Sequence, residues 1–284
     1  NFNIKYKDIF KSEDINLDKI HKGDVVALIG DYDGFTIKTF LKLIDKKVIV
    51  VPLTNDTKTF HNYYFSEASV DFVIDKKKIR KIKSKKKKIL NKFRKKDQSG
   101  LILFSSGTTG RPKAILHSIS DLLKRYEGKK KSLITMNFLL FDHIGGINTL
   151  FFTLFNSGQI IIPYKRDVSE VIKDIEKFKV ELLPTTPTFL RMLLFDSNLN
   201  PKKMKSLKII TYGAELMDIE TLEKYDSQKM YEIYDKWPKI ARESFESNQE
   251  SVEFKDIDHI IFAGMGGSGS IGDLFSSILS KTDI

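Results

Sequence analysis

The chain contains no cysteine. It therefore has no disulfide, no thiol nucleophile and no Cys-ligated zinc, a composition that fits a reducing compartment and leads us to expect a cytoplasmic protein. Long hydrophobic runs are also missing. The most apolar stretch, Ile147 to Ile162, is interrupted by Asn148, Asn156, Ser157 and Gly158 and is too short and too polar to span a bilayer. Residues 1–20 carry charges throughout and no apolar core, so no signal peptide is read there. Acidic residues are absent from 76–96, where fourteen Lys or Arg fall; the whole chain carries +11, and everything outside this segment sums to −3. The basicity thus belongs to one segment and not to the chain at large. Its apolar residues (Ile79, Ile82, Ile89, Leu90, Phe93) offer no aromatic interleaving for base stacking, and no nucleic-acid partner is expected. The segment reads as a solvated amphipathic helix or loop, with contact to an anionic surface such as acidic lipid or a carrier protein as the alternative. No metal-ligand set is identified.

What is present is a chain of 284 residues with 41% apolar content, enough for one large α/β domain or two domains with real cores. Asp24–Gly30, Lys47–Pro52 and Ser69–Ile74 read as strands, with a helix over Thr36–Ile44 between the first two. A strand at 101–104 and a helix from about Ser118 follow, then an apolar segment ending near Phe141 and a helix from about Gly145. Gln159–Pro163, Glu181–Pro184 and Leu207–Tyr212 read as strands, and Asp167–Phe178, Pro187–Phe195 and Asp218–Tyr225 as helices. Buried strands alternating with helices predict an α/β fold with mainly parallel sheets flanked by helices.

Residues 101–113, Leu-Ile-Leu-Phe-Ser-Ser-Gly-Thr-Thr-Gly-Arg-Pro-Lys, are the most informative stretch. An apolar strand runs into small hydroxyls and glycines, then a cation. Gly107 and Gly110 let the backbone approach an anion, and Ser105, Ser106, Thr108 and Thr109 offer hydroxyl donors beside a nest of N–H groups. Lys113 adds charge. The spacing differs from a Walker A loop, which needs G-x-x-x-x-G-K-[ST].

This ordered string closely resembles the phosphate loop of the acyl-adenylate-forming (AMP-binding, acyl-CoA synthetase-like) superfamily. Three further blocks support the resemblance. Phe141-Asp142-His143-Ile144-Gly145-Gly146 is similar to the family's acid-pocket motif, and the resemblance assigns His143, Gly145 and Gly146 to the substrate side. Leu182–Leu190 resembles the strand, turn and helix before the nucleotide pocket. Tyr212-Gly213-Ala214-Glu215 resembles the turn that borders adenine. The resemblance implies ATP with Mg²⁺, a carboxylic acid substrate, an acyl-adenylate intermediate, and coenzyme A or a carrier thiol as acceptor.

The resemblance covers about residues 1–225. The family's Tyr-Gly-x-Thr-Glu block, its ribose-gripping Asp, its linker Arg and its adenylation lysine have no match after Glu215, so activity is expected to be impaired. From Met230 the sequence changes character. A charged helical stretch over 231–249 precedes a strand His259–Ala263, the loop Gly264-Met265-Gly266-Gly267-Ser268-Gly269-Ser270 and a helix Ile271–Leu279. Strand, glycine-serine loop and helix N-terminus suit an anion. The block resembles the opening of sugar isomerase (SIS) domains of the phosphoglucose/phosphomannose isomerase type, and its spacing does not fit the Rossmann G-x-G-x-x-G. That resemblance implies a sugar phosphate at Gly266, Gly267, Ser268 and Ser270, and a possible homodimer. The expected division is an incomplete adenylate-forming domain over 1–227 and the first βα unit of a SIS-like domain over 228–284. A non-catalytic nucleotide-binding module, a sugar-phosphate binder and a chimeric junction near 228 stand as alternatives.

Overall fold

A computed structural model describes residues 5–6, 15–84, 87–105, 111–128, 131–196, 199–213, 215, 217–225, 232 and 236–247. The chain divides into two compact units, Asn1–Lys224 and Tyr225–Ile284.

In the first unit, β1 (Val25–Ile29), β2 (Ile49–Leu53), β3 (Phe72–Asp75) and β5 (Gly100–Ser105) form the parallel centre of a six-stranded sheet. Its order is β4-β3-β1-β2-β5-β6, with β4 (Lys78–Lys81) and β6 (Lys113–Ser118) as antiparallel edges. Every residue of β1 and β2 is buried, as expected of aliphatic parallel strands covered on both faces. Pro52 is tolerated in β2 because it lies past Val50↔Leu101, where pairing with β5 has ended.

One face of this sheet packs on α1 (Gly34–Asp45) and α5 (Ile144–Phe155) through Leu28, Phe40, Leu43, Phe141, Ile147 and Leu150. The other face packs on α2 (His61–Glu67) and α3 (Lys88–Arg94) through Val51, Tyr64, Phe65, Leu90 and Phe93. Helix α1 starts where it does because the Asp33 carboxylate accepts from the Thr36 N–H at 2.8 Å. Close seating of α3 depends on Gly100, since a β-carbon there would lie 2.9 Å from the Phe93 ring.

The short helix α4 (Ile119–Leu123) leads toward a second sheet, which is all parallel in the order β10-β9-β7-β8. Its strands are β7 (Ile134–Met136), β8 (Gln159–Ile161), β9 (Leu182–Thr185) and β10 (Ile209–Tyr212). Helices α6 (Val168–Phe178) and α7 (Pro187–Phe195) cover it through Met136, Val171, Ile175, Leu183 and Phe189. Asp167 caps α6, and Lys179, at φ 55°, closes it in the left-handed region. Thr186 caps α7, with Pro187 in its first turn. Helix α8 (Ile219–Tyr225) follows β10. All four residues of β10 are exposed, unusual for a parallel strand.

In the second unit the described element is α9 (Trp237–Glu246), none of whose residues is buried. The strand expected at 259–263, the Gly264–Ser270 loop and the helix expected at 271–279 lie outside the described residues. No helix among the described residues is long and apolar enough to cross a membrane.

The alternating α/β pattern is borne out, with two differences. The segment after the phosphate loop is an antiparallel strand, β6, where the sequence reading went directly to a helix from about Ser118. The basic segment is neither one helix nor a loop. It contributes edge strand β4 and helix α3.

Candidate functional site

The hairpin β5–β6 brackets the glycine-hydroxyl loop. Ser105 and Lys113 face each other as the last pair of its register, so the strand that ends in hydroxyls is held opposite the cation. Ser105 is half-buried and Lys113 exposed. Ser106, Gly107, Thr108, Thr109 and Gly110 lie outside the described residues. The base of the hairpin is pinned from α2, where the Tyr63 hydroxyl donates to the Pro112 carbonyl at 2.9 Å. The Tyr64 ring stacks on Phe104 at 4.0 Å between centroids.

The acid-pocket block reaches this end of the sheet through Asp142. Its carboxylate accepts from the Thr54 hydroxyl at 2.8 Å and from the Thr54 N–H at 3.3 Å, just past the end of β2. The Thr54 carbonyl meets His61 Nε2 at 2.9 Å, tying α2 to the same point. Burial raises the Tyr64 pKa, and the nearby Asp142 charge raises it further. Phosphate-loop strand, α2, β2 and the 141–143 turn thus form one connected cluster. His143 is exposed beside it, at the N-terminus of α5, and its own side chain makes no capping bond. Gly145 and Gly146 form the first turn of α5. A β-carbon at 146 would lie 2.1 Å from the Leu140 carbonyl oxygen and 2.6 Å from the Tyr32 hydroxyl, so only glycine lets the helix start this close to the turn.

Below the turn, Phe141 is fully buried and meets Tyr32 edge to face at 5.3 Å. Tyr32 is deeply buried, and desolvation pushes its pKa far up, partly offset by Asn137. Neither the Tyr32 hydroxyl nor the Asn137 carboxamide completes a hydrogen bond of good geometry. Arg166 joins the two sheets at this end. Its guanidinium donates to both Asp31 carboxylate oxygens, at 2.6 and 2.9 Å, and to the Phe138 carbonyl at 2.6 Å.

Of the residues expected to border adenine, Tyr212 belongs to the second sheet. Tyr212 ends β10 and is half exposed, and Gly213 has open space where a side chain would be. The Glu215 carboxylate accepts from the Thr188 N–H at 3.1 Å and hydroxyl at 2.7 Å, contacts that hold its pKa below the usual range. These hydrogen bonds go to α7 and not to the β5–β6 hairpin. Ala214, Gly266, Gly267, Ser268 and Ser270 lie outside the described residues. Among the described residues no three of His, Asp and Glu are grouped to hold a metal ion. Thr54, Tyr63, Tyr64, Asp31 and Arg166 were not singled out from sequence. The contacts Thr54–Asp142, Tyr63–Pro112, Tyr64–Phe104 and Asp31–Arg166 each span 40 or more positions, and no local pattern marks them.

The family model described as AMP-binding enzyme matches residues 23–234. A 4-coumarate–CoA ligase-like protein of Arabidopsis thaliana is 29% identical over 144 residues, 46% of this chain and 25% of that protein. A 2-succinylbenzoate–CoA ligase of Bacillus pumilus is 29% identical over 130 residues, 43% of this chain and 26% of its own length. Among solved structures, o-succinylbenzoate CoA synthetase from Bacillus subtilis, in complex with its acyl-adenylate intermediate, superposes with a TM-score of 0.58 at 17% identity. That match covers 75% of this chain and 60% of the other. The luciferase-like enzyme of the mealworm Zophobas morio gives 0.57 at 18% identity, over 77% and 59%. The matches thus span about a quarter of these curated relatives and about three fifths of these solved chains. Because the family model matches residues 23–234, well over half of this chain, the chain belongs to the AMP-binding enzyme family.

Proposed function

We propose that the chain binds ATP at the β5–β6 loop and serves the activation of a carboxylic acid as its acyl-adenylate, with coenzyme A or a carrier thiol as the eventual acceptor. The observation that carries this reading is the cluster joining the Ser105/Lys113 hairpin, through Tyr63, Tyr64 and Thr54, to Asp142 beside His143. The residues we assign to phosphate and to the acid, Lys113 and His143, thereby belong to elements tied to one another through α2 and the end of β2.

In the proposed reaction a carboxylate oxygen attacks the α-phosphorus. The bond to the β-phosphate bridging oxygen breaks, and pyrophosphate leaves with that electron pair. Lys113 and the loop donors hold the departing negative charge, His143 lines the acid side, and Tyr212 to Glu215 border the adenine. A thiolate then attacks the acyl carbonyl and AMP departs. The family's Mg²⁺ finds no grouped protein ligands among the described residues. No match to the family's metal-contacting Thr-Glu block or adenylation lysine follows Glu215 within residues 216–284. We therefore propose that these residues, taken alone, bind nucleotide but do not complete adenylation. We further propose 1–227 as the adenylate-forming part.

Calorimetry with ATP, paired with ATP–pyrophosphate exchange over a panel of carboxylic acids, tests the reading. Weak ATP binding is expected, reduced about tenfold or more by Lys113→Ala, the scale of one hydrogen bond to a charged group. No exchange is expected. Absence of ATP binding would sink the site assignment. Exchange with any acid would keep the family chemistry and overturn the claim of impairment.

A further inference from the structure

We propose that the β3–β4 hairpin and α3 form a single cationic face that seats the chain on an anionic lipid surface. The basic segment is continuous in sequence, yet its two structured parts need not have met. Asp71 ties the end of β4 to the end of α3. Its carbonyl accepts from the Ile82 N–H at 2.8 Å, just past the end of β4, and its carboxylate pairs with Arg94 at the end of α3, at 3.3 Å. Arg94 also donates to the Gly23 carbonyl at 2.6 Å, locking the helix end to the sheet.

Four cations do this internal work. Besides Arg94, Lys87 pairs with Glu67 at 2.7 Å, Arg80 lies over the Phe65 ring and Lys81 over the Phe72 ring. Lys76, Lys77, Lys78, Lys88, Lys92 and Lys95 are exposed and form no ion pair among the described residues. An unpaired set of like charges, with no acid from 76 to 96, repels itself and gains most from an extended negative partner. Helix α3 buries Leu90 and Phe93 in the core and leaves Ile89 62% exposed, between Lys88 and Lys92. An exposed aliphatic side chain with lysines before and after it on the helix suits the interface of a bilayer, where the chain enters and the ammonium groups stay among headgroups.

Two features favour lipid over RNA. The rings of the patch, Phe65, Phe72 and Phe93, are buried, so none is free to stack on a base. Twelve of the fourteen cations are lysine, a point charge suited to a smeared field, where arginine would offer the bidentate fork for individual phosphates.

The test is co-sedimentation of the full chain with vesicles of phosphatidylcholine alone and of equal parts phosphatidylcholine and phosphatidylserine, with single-stranded RNA as competitor. Binding is expected only to the anionic vesicles and should fall as salt rises. Replacing Lys76, Lys77 and Lys78 by Gln, or Lys88, Lys92 and Lys95 by Gln, should weaken it by roughly a hundredfold if all three lysines engage. Ile89→Ser should weaken it with net charge unchanged. A control with Lys165, Lys202 and Lys205 changed to Gln removes the same charge elsewhere and should leave binding within about twofold, since exposed charges beyond a Debye length are largely screened. Far-UV circular dichroism on each variant confirms folding. No binding to anionic vesicles, equal loss in the control, or RNA displacing the protein from vesicles at the same salt would each overturn the proposal.

Discussion

Gly146→Ala should destabilise the first unit, even though Gly→Ala inside a helix ordinarily gains up to about 1 kcal/mol. The added β-carbon would sit 2.1 Å from the Leu140 carbonyl oxygen and 2.6 Å from the Tyr32 hydroxyl. The first neighbour is backbone and cannot swing aside. Leu140 leads directly into Phe141, which is fully buried and meets the Tyr32 and Phe40 rings at 5.3 and 5.4 Å, so the turn cannot retreat without repacking the core. Overpacking of this kind costs about 1–3 kcal/mol. The upper end less the helix gain leaves a net cost of about 2 kcal/mol, or roughly 4–8 °C in Tm for a unit of this size. Thermal and urea unfolding followed by circular dichroism reads the effect. The double variant Tyr32→Phe with Gly146→Ala separates the two contacts: it removes the hydroxyl but leaves the carbonyl, so it should recover little. A raised Tm for Gly146→Ala, or full recovery in the double variant, would refute the claim that the Leu140 carbonyl sets the limit.

Three further outcomes are expected. Hydrogen bonds from Lys22 and Lys47 lower the Asp97 pKa from 3.8 to about 2; because the folded value is depressed, the stability this carboxylate contributes is full above the unfolded value and lost as pH falls toward about 2. The urea midpoints of the native chain and Asp97→Asn should therefore converge across that window, and a difference that stays constant would contradict the linkage. Arg166→Lys keeps the charge but loses the fork that holds both Asp31 oxygens and the Phe138 carbonyl; with both side chains partly exposed, the expected cost is about 1 kcal/mol, and a double-mutant cycle with Asp31→Asn should show coupling. Thr54→Val removes the 2.8 Å donor to Asp142 and should cost about 1–2 kcal/mol, visible as a lower urea midpoint with unchanged slope.

What could be read from sequence, and what could not, follows the range of the interactions. Strands β1, β2 and β5 were legible because a run of aliphatic residues bounded by glycine or a charge is a local signal. Helix α6 was legible from the helical spacing of Val168, Val171, Ile172 and Ile175 after Asp167. Strand β6 was missed. Lys113 and Ile115 are exposed on it, so its alternation carries no clean apolar face, and its pairing with β5 depends on the turn between them. Strand β4 was hidden by lysine density. Only Ile79 marks it, and its place is secured by pairing with β3 and by the Arg80 and Lys81 cations over aromatic rings.

The candidate site divides along the same line. The order of hydroxyls, glycines and Lys113 is covalent, so it can be read without a fold, and so can Phe141 to Gly146. The contacts that assemble those blocks are not local: Thr54 reaches Asp142 across 88 positions, and Asp31 reaches Arg166 across 135. Asp142 stood inside a recognised motif, yet nothing in the motif says that its carboxylate would be taken up by the end of β2. Strand β10 shows the converse limit. Its position was legible from Ile209, Ile210 and Tyr212, and an apolar parallel strand implies burial on both faces, but these side chains are 44%, 41% and 49% exposed. Periodicity reports which residues prefer to be covered. Whether a covering layer is present is a property of the rest of the fold, and among the described residues nothing buries this strand.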